Sequence, residues 1–151
     1  MATRRRIMAV ASGGGHWVQL QRVMPAFQDH DVTFVTINPT YKADVPGERV
    51  LIVRDSTRWN KLGLIVLGFQ IIWSLIRIRP HVVVSTGAAP GFMAIVLGRL
   101  LGAKTVWLDS IANVEEVSMS GRMVRRWAVL WLTQWPHLAT DDGPEYAGRV
   151  F

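Results

Sequence analysis

The stretch Ala9-Val10-Ala11-Ser12-Gly13-Gly14-Gly15-His16 decides the first unit of the fold. A short apolar run over residues 7–11 stops at three glycines, and apolar residues recur at helical spacing from Trp17. This pattern predicts a strand, a tight turn and a helix. Glycine permits positive φ at such a turn and lets a ligand approach the backbone closely.

The start of that helix offers free N–H groups and a partial positive charge, which suit a phosphate or diphosphate. The spacing differs from the G-x-G-x-x-G of dinucleotide-binding turns, and no acidic residue closes the second predicted strand. Three glycines alone are equally compatible with a turn that only packs a helix on a sheet. His16 adds a titratable group at the mouth of the turn and favours a binding site.

Composition limits the remaining possibilities. A chain of 151 residues is expected to form a single domain over residues 1–151. It contains no cysteine, which excludes disulfides and thiolate metal sites, and its four histidines are scattered, so no metal site is predicted. The net charge of +6 predicts an anionic partner: nucleic acid, an acidic membrane surface or a phosphorylated ligand.

Short apolar segments of strand length alternate with longer apolar segments of helical length along the chain. The basic run Arg4-Arg5-Arg6 precedes an apolar stretch too short for a secretion signal, so it is expected to lead into the first strand of a cytoplasmic domain. The alternation predicts a Rossmann-like parallel sheet with helices on both faces. Predicted strands are 7–11, 32–37, 49–53, 82–85, 105–108 and 137–139; predicted helices are 17–27, kinked or ended by Pro25, then 60–78, 92–101 and 122–134.

Three loops follow predicted strands, at residues 12–16, 86–91 and 109–121. Ligands of such folds bind at the carboxyl ends of the strands, so these loops are expected to form one site.

The helix over 60–78 is unusually apolar, with no charged residue between Leu62 and Ile76. That run spans roughly 22 Å, less than the ~30 Å of a bilayer core, so we expect no membrane crossing. Gln70, Ser74 and Arg77 form one thin polar stripe, which leaves two interpretations: a core helix, or a helix partly immersed in an anionic membrane surface. The second is favoured, with predicted contacts at Lys61, Ile65, Phe69, Ile72, Trp73, Ile76, Arg77 and Arg79.

The predicted helix over 122–134 places Trp127, Trp131 and Trp135 on one face behind basic residues. A lipid interface or a partner groove is favoured for this face. Core packing and single-stranded nucleic-acid binding are the alternatives, and we expect no nucleic acid as a partner.

Several motifs occur in a family-specific order. The chain resembles the membrane-associated acceptor-side subunit of the two-chain UDP-N-acetylglucosamine transferase of N-glycan lipid assembly. It is still more similar to the bacterial counterparts in exopolysaccharide and capsule synthesis. The turn at 12–16 also resembles that of the peptidoglycan lipid-intermediate transferase. The motifs are Val82-Val83-Val84-Ser85-Thr86-Gly87-Ala88-Ala89-Pro90-Gly91, Trp107-Leu108-Asp109-Ser110-Ile111-Ala112-Asn113-Val114, Ser118-Met119-Ser120-Gly121 and Gln134-Trp135-Pro136.

The resemblance implies the N-terminal, acceptor-binding half of an inverting GT-B glycosyltransferase that is divided between two polypeptides. The chain alone would bind no cofactor, and the separate C-terminal half would hold most of the UDP-sugar donor. The acceptor would be a polyprenyl-diphosphate-linked sugar, and the chain would lie peripherally on the cytoplasmic face of the inner membrane. The bacterial resemblance implies transfer of glucuronic acid or of a glucose-family sugar, and glucuronic acid is favoured. Eukaryotic members carry an N-terminal membrane anchor, whereas this sequence is expected to open at its first strand.

Transfer to an acceptor hydroxyl needs a general base within hydrogen-bonding reach. Asp109 is the first candidate, standing where the eukaryotic members are expected to carry glutamate, and a loop cap is its alternative role. His16 is the second candidate, as the base or as a donor to the acceptor diphosphate. The remaining predicted contacts to phosphate or acceptor are Ser12, Gly13, Gly14, Gly15, Thr86, Gly87, Pro90, Ser110, Asn113 and Ser120.

A rival function is a non-catalytic membrane scaffold that recruits a catalytic subunit. For the divided enzyme, a docking surface for the partner is expected on residues 143–151 and on the predicted helix before them. Tyr146 and Val150 would share a face if that tail were helical.

Overall fold

The computed structural model describes residues 3–151, and these form one seven-stranded, entirely parallel sheet in the order β3-β2-β1-β4-β5-β6-β7. The order reverses between β1 and β4, which is the point where ligands bind in open α/β sheets. The strands are Arg6–Val10 (β1), Asp31–Thr36 (β2), Arg49–Ile52 (β3), Val82–Ser85 (β4), Lys104–Leu108 (β5), Leu130–Thr133 (β6) and Glu145–Tyr146 (β7).

Helices and short 3₁₀ segments connect these parallel strands. Short 3₁₀ segments lie at Met24–Phe27, Pro39–Asp44, Val124–Arg126 and Pro136–Leu138. The predicted change at Pro25 is confirmed, since the first helix passes there into 3₁₀ geometry. The α-helices are Gly15–Val23 (α1), Lys61–Ile78 (α2), Ala88–Leu100 (α3) and Met119–Met123 (α4).

The core consists of two layers, one on each face of the sheet. Met8 and Val10 of β1 pack with α2 and α3, whereas Ile7 and Ala9 pack with Trp17 of α1. Because both faces are covered, successive residues of a central strand are all buried. This explains why the strands appear in the sequence as continuous apolar runs, and it confirms the predicted fold class.

Two glycines let α3 lie close to the sheet. A Cβ atom on Gly91 would fall 1.9 Å from Ser85 Oγ, and one on Gly98 would fall 2.8 Å from Val83 Cγ2. The helix begins at Ala88, four residues before the predicted start. Much of the expected glycine loop over 86–91 is the first turn of α3, in which Pro90 and Gly91 are buried.

The predicted helix over 122–134 is wrong. Residues 119–126 form only α4 and a 3₁₀ turn, and β6 begins at Leu130. Hydrogen bonds from Thr105 Oγ1 to Trp127 O, at 2.5 Å, and from Val129 N to Thr105 O, at 2.9 Å, attach this segment to β5. Sheet pairing thus overrides a tryptophan spacing that matches a helix equally well.

The end of the chain also differs from expectation. The predicted strand over 137–139 is wrong, because Pro136–Leu138 is a 3₁₀ turn. The last strand is instead β7, a two-residue pair with β6, and the tail beyond it is not helical. Tyr146 and Val150 therefore do not share a helix face.

Candidate functional site

A polar pocket of about 310 Å³ lies at the carboxyl ends of β1, β4 and β5, where the strand order reverses. Two of the three predicted loops line it directly, and the turn at 12–16 reaches it through His16. Its lining consists of His16, Thr86, Gly87, Ala88, Asp109, Ser110, Ala112, Asn113, Ser118, Met119 and Ser120.

Asp109 lies in the floor of this pocket and is only 2% exposed. Its Oδ1 accepts hydrogen bonds from Trp107 Nε1 at 3.1 Å and from Ser118 Oγ at 2.5 Å. Its Oδ2 accepts from Asn113 Nδ2 at 3.1 Å and from Ser118 N at 2.9 Å. A carboxylate offers about four lone-pair sites, so these four donors occupy its accepting capacity.

The carboxylate therefore ties the middle and the far end of the loop over 110–118, at Asn113 and Ser118, to the end of β5. Gly121 completes the enclosure, since a Cβ there would lie 2.7 Å from Asp109 Oδ1. This geometry matches the loop-cap alternative for Asp109. A substrate hydroxyl could reach the carboxylate only by displacing one of its present donors.

His16 is differently placed, half-buried in the pocket wall. Its Nδ1 lies 2.9 Å from the carbonyl oxygen of Thr86. A carbonyl can only accept, so Nδ1 carries the proton and Nε2 of the neutral ring is an acceptor. Within residues 3–151 no hydrogen-bond partner is present for Nε2. His16 thus offers the unoccupied base that Asp109 does not.

The backbone around His16 is built to hold the ring in this position. Thr86 Oγ1 donates to His16 O at 2.6 Å, so two hydrogen bonds join the β1–α1 turn to the β4–α3 turn. Gly87 has φ +141°, and a Cβ on it would lie 2.5 Å from the imidazole. Ala88 follows with φ +64°, an uncommon value for a residue with a side chain. Strained backbone of this kind is concentrated at functional sites.

The predicted phosphate and acceptor contacts divide into two groups. Thr86, Gly87, Ser110, Asn113 and Ser120 are brought together with Asp109 and His16 in the pocket. The other group does not line it. Pro90 is buried in α3, and the glycine turn faces the β2 side, where Gly14 N donates to Tyr41 Oη at 2.9 Å; these outlying residues are Ser12, Gly13, Gly14, Gly15 and Pro90.

A buried pair of glutamines supports the pocket from behind. Gln134 belongs to one of the family motifs, but nothing in the sequence pairs it with Gln19. Gln134 Nε2 donates to Gln19 Oε1 and, at 3.0 Å, to Asp109 O. Gln19 Oε1 also accepts from Ile111 N at 3.1 Å, and Gln134 Oε1 accepts from Val150 N at 3.1 Å. The network joins α1, the loop after β5 and the chain end, so a local pattern could not have predicted it.

Comparison with known sequences identifies the family. The family model described as "Oligosaccharide biosynthesis protein Alg14 like" matches residues 48–150. The chain belongs to this family. It is 33% identical over 100 residues to the UDP-N-acetylglucosamine transferase subunit alg14 of Schizosaccharomyces pombe, covering 61% of this chain and 45% of the relative. The mouse subunit ALG14 is 30% identical over 105 residues, at 62% and 48% coverage. The chain therefore spans about half the length of these curated relatives.

Solved structures establish the fold. MurG of Acinetobacter baumannii superposes with a TM-score of 0.76 at 14% identity, over 94% of this chain and 45% of MurG. A UDP-N-acetylglucosamine 2-epimerase from Rickettsia bellii superposes at 0.72 and 10% identity, over 98% and 46%. The Alg14-like chain thus has the Rossmann-like fold of the N-terminal half of a GT-B glycosyltransferase. This architecture occurs in a transferase and in an epimerase, so fold alone does not assign a reaction.

The outer face of α2 in this Alg14-like chain is apolar and exposed. Leu62, Ile65, Phe69, Trp73 and Ile76 are 54–77% exposed. Two of the three residues of the polar stripe make hydrogen bonds within the domain: Ser74 is buried and donates to Gln70 O, and Gln70 Oε1 accepts from Arg54 N. Of the predicted membrane contacts, Lys61, Arg77 and Arg79 are exposed, whereas Ile72 is half-buried. A core helix with a solvated face would bury its apolar residues and expose its polar ones, which is the opposite of what α2 shows.

By length and composition alone, α2 qualifies as a candidate membrane span, with 33% of its residues buried against the domain. Its buried stripe consists of residues such as Leu67, Ile71 and Leu75, which form part of the core beneath α2 and α3. The helix is therefore packed against the sheet along its whole length.

Among residues 3–151 no group of three or more metal-ligating side chains occurs.

The three predicted interfacial tryptophans lie elsewhere. Trp127 and Trp131 pack against the core on the α3 face of the sheet, which is the alternative that the sequence left open. Trp135 follows β6, and its Nε1 donates to Ile111 O at 2.8 Å, bracing the loop that forms the pocket. These residues therefore do not form a shared lipid-facing surface.

Proposed function

We propose that this chain is the acceptor-binding subunit of a two-chain glycosyltransferase, which transfers a sugar from a nucleotide donor to a polyprenyl-diphosphate-linked sugar. The observation that carries the proposal is the position of the polar pocket, at the switch point of half a GT-B fold and beside an exposed apolar helix. Two curated relatives are named as subunits of a UDP-N-acetylglucosamine transferase, which supports the class of reaction.

In this proposal His16 is the general base. Its Nε2 accepts the proton of the acceptor hydroxyl as that oxygen attacks the anomeric carbon, and the nucleotide diphosphate leaves from the opposite face, so the configuration inverts. Thr86 O holds the reactive tautomer. Asp109 acts as a positioning residue through Ser118 and Asn113. Ser110, Asn113 and Ser120 line the pocket, which supports their proposed role as contacts to acceptor hydroxyls.

The donor side is assigned to a second polypeptide, the C-terminal GT-B half, which would hold most of the UDP-sugar. The tail over 143–151 remains our candidate docking surface: Phe151 is 53% exposed, and Arg22 stacks on its ring at 4.0 Å. The setting in bacterial exopolysaccharide or capsule synthesis, and glucuronic acid as the sugar, rest on the motif resemblance and stay predictions.

The membrane side is assigned to α2. A helix that is fixed along one face to the domain and apolar on the other fits a position in the plane of the membrane surface. Arg77 and Arg79 at one end, with Lys61 at the other, are placed for lipid phosphates. We therefore propose peripheral, monotopic attachment at the cytoplasmic face of the inner membrane.

A scaffold without catalytic groups is the second candidate, and the occupied carboxylate of Asp109 favours it. A reconstituted assay distinguishes the two functions. It combines this chain with the polypeptide encoded by the adjacent reading frame, a lipid-diphosphate sugar and a panel of nucleotide donors. His16→Ala is expected to lower transfer by about 10²–10⁴-fold, the usual loss for an acid–base group. Binding of the partner and of vesicles should not change.

Three outcomes decide between the candidates. Transfer by this chain without a partner would contradict the divided enzyme. Near-normal transfer by His16→Ala would remove His16 as the base, and full activity of every pocket variant would establish the scaffold. Asp109→Asn is expected to lower both transfer and the melting temperature, because it acts through the loop. A truncation after Asp142 tests the docking role of the tail.

A further inference from the structure

An apolar depression lies beside the polar pocket and shares two lining residues with it. This depression, which we call the junction pocket, has a volume of about 370 Å³ and is lined by Leu64 of α2, Phe92 and Met93 of α3, and Met123 of α4. Met119 and Ser120 line both cavities. The two volumes therefore meet at one wall, with polar groups on one side of it and apolar side chains on the other.

The junction pocket continues in turn along the outside of the domain. A groove of about 300 Å³ runs between α2 and α3, with Ile65, Gly68 and Phe69 on one side and Val96 and Leu97 on the other. Phe92 and Met93 line both this α2–α3 groove and the junction pocket. The groove's lining is entirely apolar, and it opens on the exposed face of α2.

Arg58 lies where the polar and apolar parts meet. It lines the junction pocket, and its Nη1 is 3.6 Å from Met119 Sδ. In the part of the chain from residue 3 onward, the one ion pair joins Arg122 to Glu116, so Arg58 is not neutralised by a carboxylate. An uncompensated cation at such a boundary suits the phosphate of an amphiphile whose chain continues into the apolar side.

We propose that the α2–α3 groove and the junction pocket hold the isoprenoid chain of the acceptor while its diphosphate and sugar occupy the polar pocket. The inference rests on the proposed function and adds a binding path for the lipid. Each cavity is of ligand size, and their order, from polar through cationic to apolar, follows the order of groups in such a lipid. Met93, Met119 and Met123 supply unbranched side chains that adapt to an irregular chain.

Gly68 permits a selective block of the groove. A Cβ built on Gly68 meets no atom within 4 Å, so a larger side chain can enter the groove without displacing the core. Gly68→Phe should fill the space between the helices. Leu62→Phe is the matched control, because Leu62 lies on the same helix, is 77% exposed, and lines neither cavity. Val96→Trp blocks the same groove from α3.

The experiment titrates the full chain in nanodiscs with farnesyl diphosphate, inorganic diphosphate and phosphatidylglycerol as probes. For the wild-type chain and Leu62→Phe, farnesyl diphosphate should bind at least about tenfold more tightly than diphosphate, the effect of about two buried methylene groups. Gly68→Phe and Val96→Trp should abolish that advantage and leave diphosphate affinity within about twofold. Arg58→Gln should weaken both diphosphate probes. Circular dichroism verifies that each variant is folded.

Several results would overturn the proposal. These are equal affinities for the two diphosphates in the wild-type chain, an advantage that persists in both folded blocking variants, or equal competition by phosphatidylglycerol, which would indicate a general lipid groove. Loss of the farnesyl advantage on adding the partner chain would assign the groove to that partner. Failure of sugar transfer in the reconstituted assay, with the farnesyl advantage intact, would remove the proposed function and leave the lipid path standing.

Discussion

Two apolar, tryptophan-bearing segments with basic neighbours look alike in the sequence, yet the structure places them in opposite environments. On α2, Phe69 and Trp73 are 69% and 54% exposed. In the segment over 127–135, Trp127 and Trp131 pack against the core and Trp135 braces the loop of the polar pocket. Tryptophan and arginine content therefore does not distinguish a membrane surface from a structural support in this chain.

What separates them is the position of the polar residues and the length of the apolar run. Ser74 and Gln70 make hydrogen bonds within the domain, so the apolar side of α2 is left outside. The run over 127–132 is short and is followed by Thr133 and Gln134, which are buried. A run of that length matches a fully buried strand, and its i, i+4 tryptophans could not decide between strand and helix.

The largest expected effect is release from membranes. Changing Ile65, Phe69, Trp73 and Ile76 together to serine should cost about 6 kcal/mol or more of partition free energy, at about 1.5 kcal/mol or more per buried side chain. Flotation with anionic vesicles measures the release, and circular dichroism should show an unchanged fold. Ile72 is left unaltered because it is half-buried.

The matched control for that variant is Leu67→Ser with Ile71→Ser, on the buried side of the same helix. This pair should unfold the domain. If the outer-face variant also unfolded, or stayed fully bound to vesicles while folded, α2 would not be the membrane surface.

The second effect tests the other segment. Trp131→Ala should lower the free energy of unfolding by about 3 kcal/mol, toward the lower end for large core truncations because Trp131 is half-buried. Trp73→Ala should change it by less than about 0.5 kcal/mol. Urea denaturation of the two variants gives the comparison directly, and similar losses for both would mean that the two tryptophans share one environment.

Particular residues show how far sequence reasoning reaches. The parallel sheet, α2 and the grouping of His16 with Asp109 followed from apolar runs and from the rule that ligands bind at strand ends. The four donors on Asp109 could not be predicted, because Ser118 is nine residues away in a loop without periodicity. The same holds for Gln19 and Gln134, which are 115 residues apart. Such contacts depend on how the strands are ordered in the sheet.

A third, smaller effect concerns the buried pair Gln19 and Gln134, which supports the polar pocket. Gln134→Leu keeps the side chain's approximate volume but removes both of its hydrogen-bonding groups. Asp109 O and Val150 N would each lose a partner, and Gln19 Oε1 would lose one of its two donors. The cost should be about 2 kcal/mol in total. The loop over 110–118 should then exchange amide hydrogens faster, whereas α2 should not. Equal acceleration in α2 would indicate a general loss of stability.

The smallest effect separates the charges beside the two segments. Arg77 stacks on Trp73 with its guanidinium 5.0 Å from the ring, and Arg125 precedes Trp127, which is half-buried against the core. A basic residue near an anionic membrane contributes about 1 kcal/mol, so Arg77→Gln should weaken binding to phosphatidylglycerol vesicles about fivefold. Binding to neutral vesicles should be unchanged, and added salt should shrink the difference. Arg125→Gln is expected to have no effect on vesicle binding, because its segment packs against the core. A loss of binding equal to that of Arg77→Gln would mean that the membrane surface extends across α3 to residues 119–126.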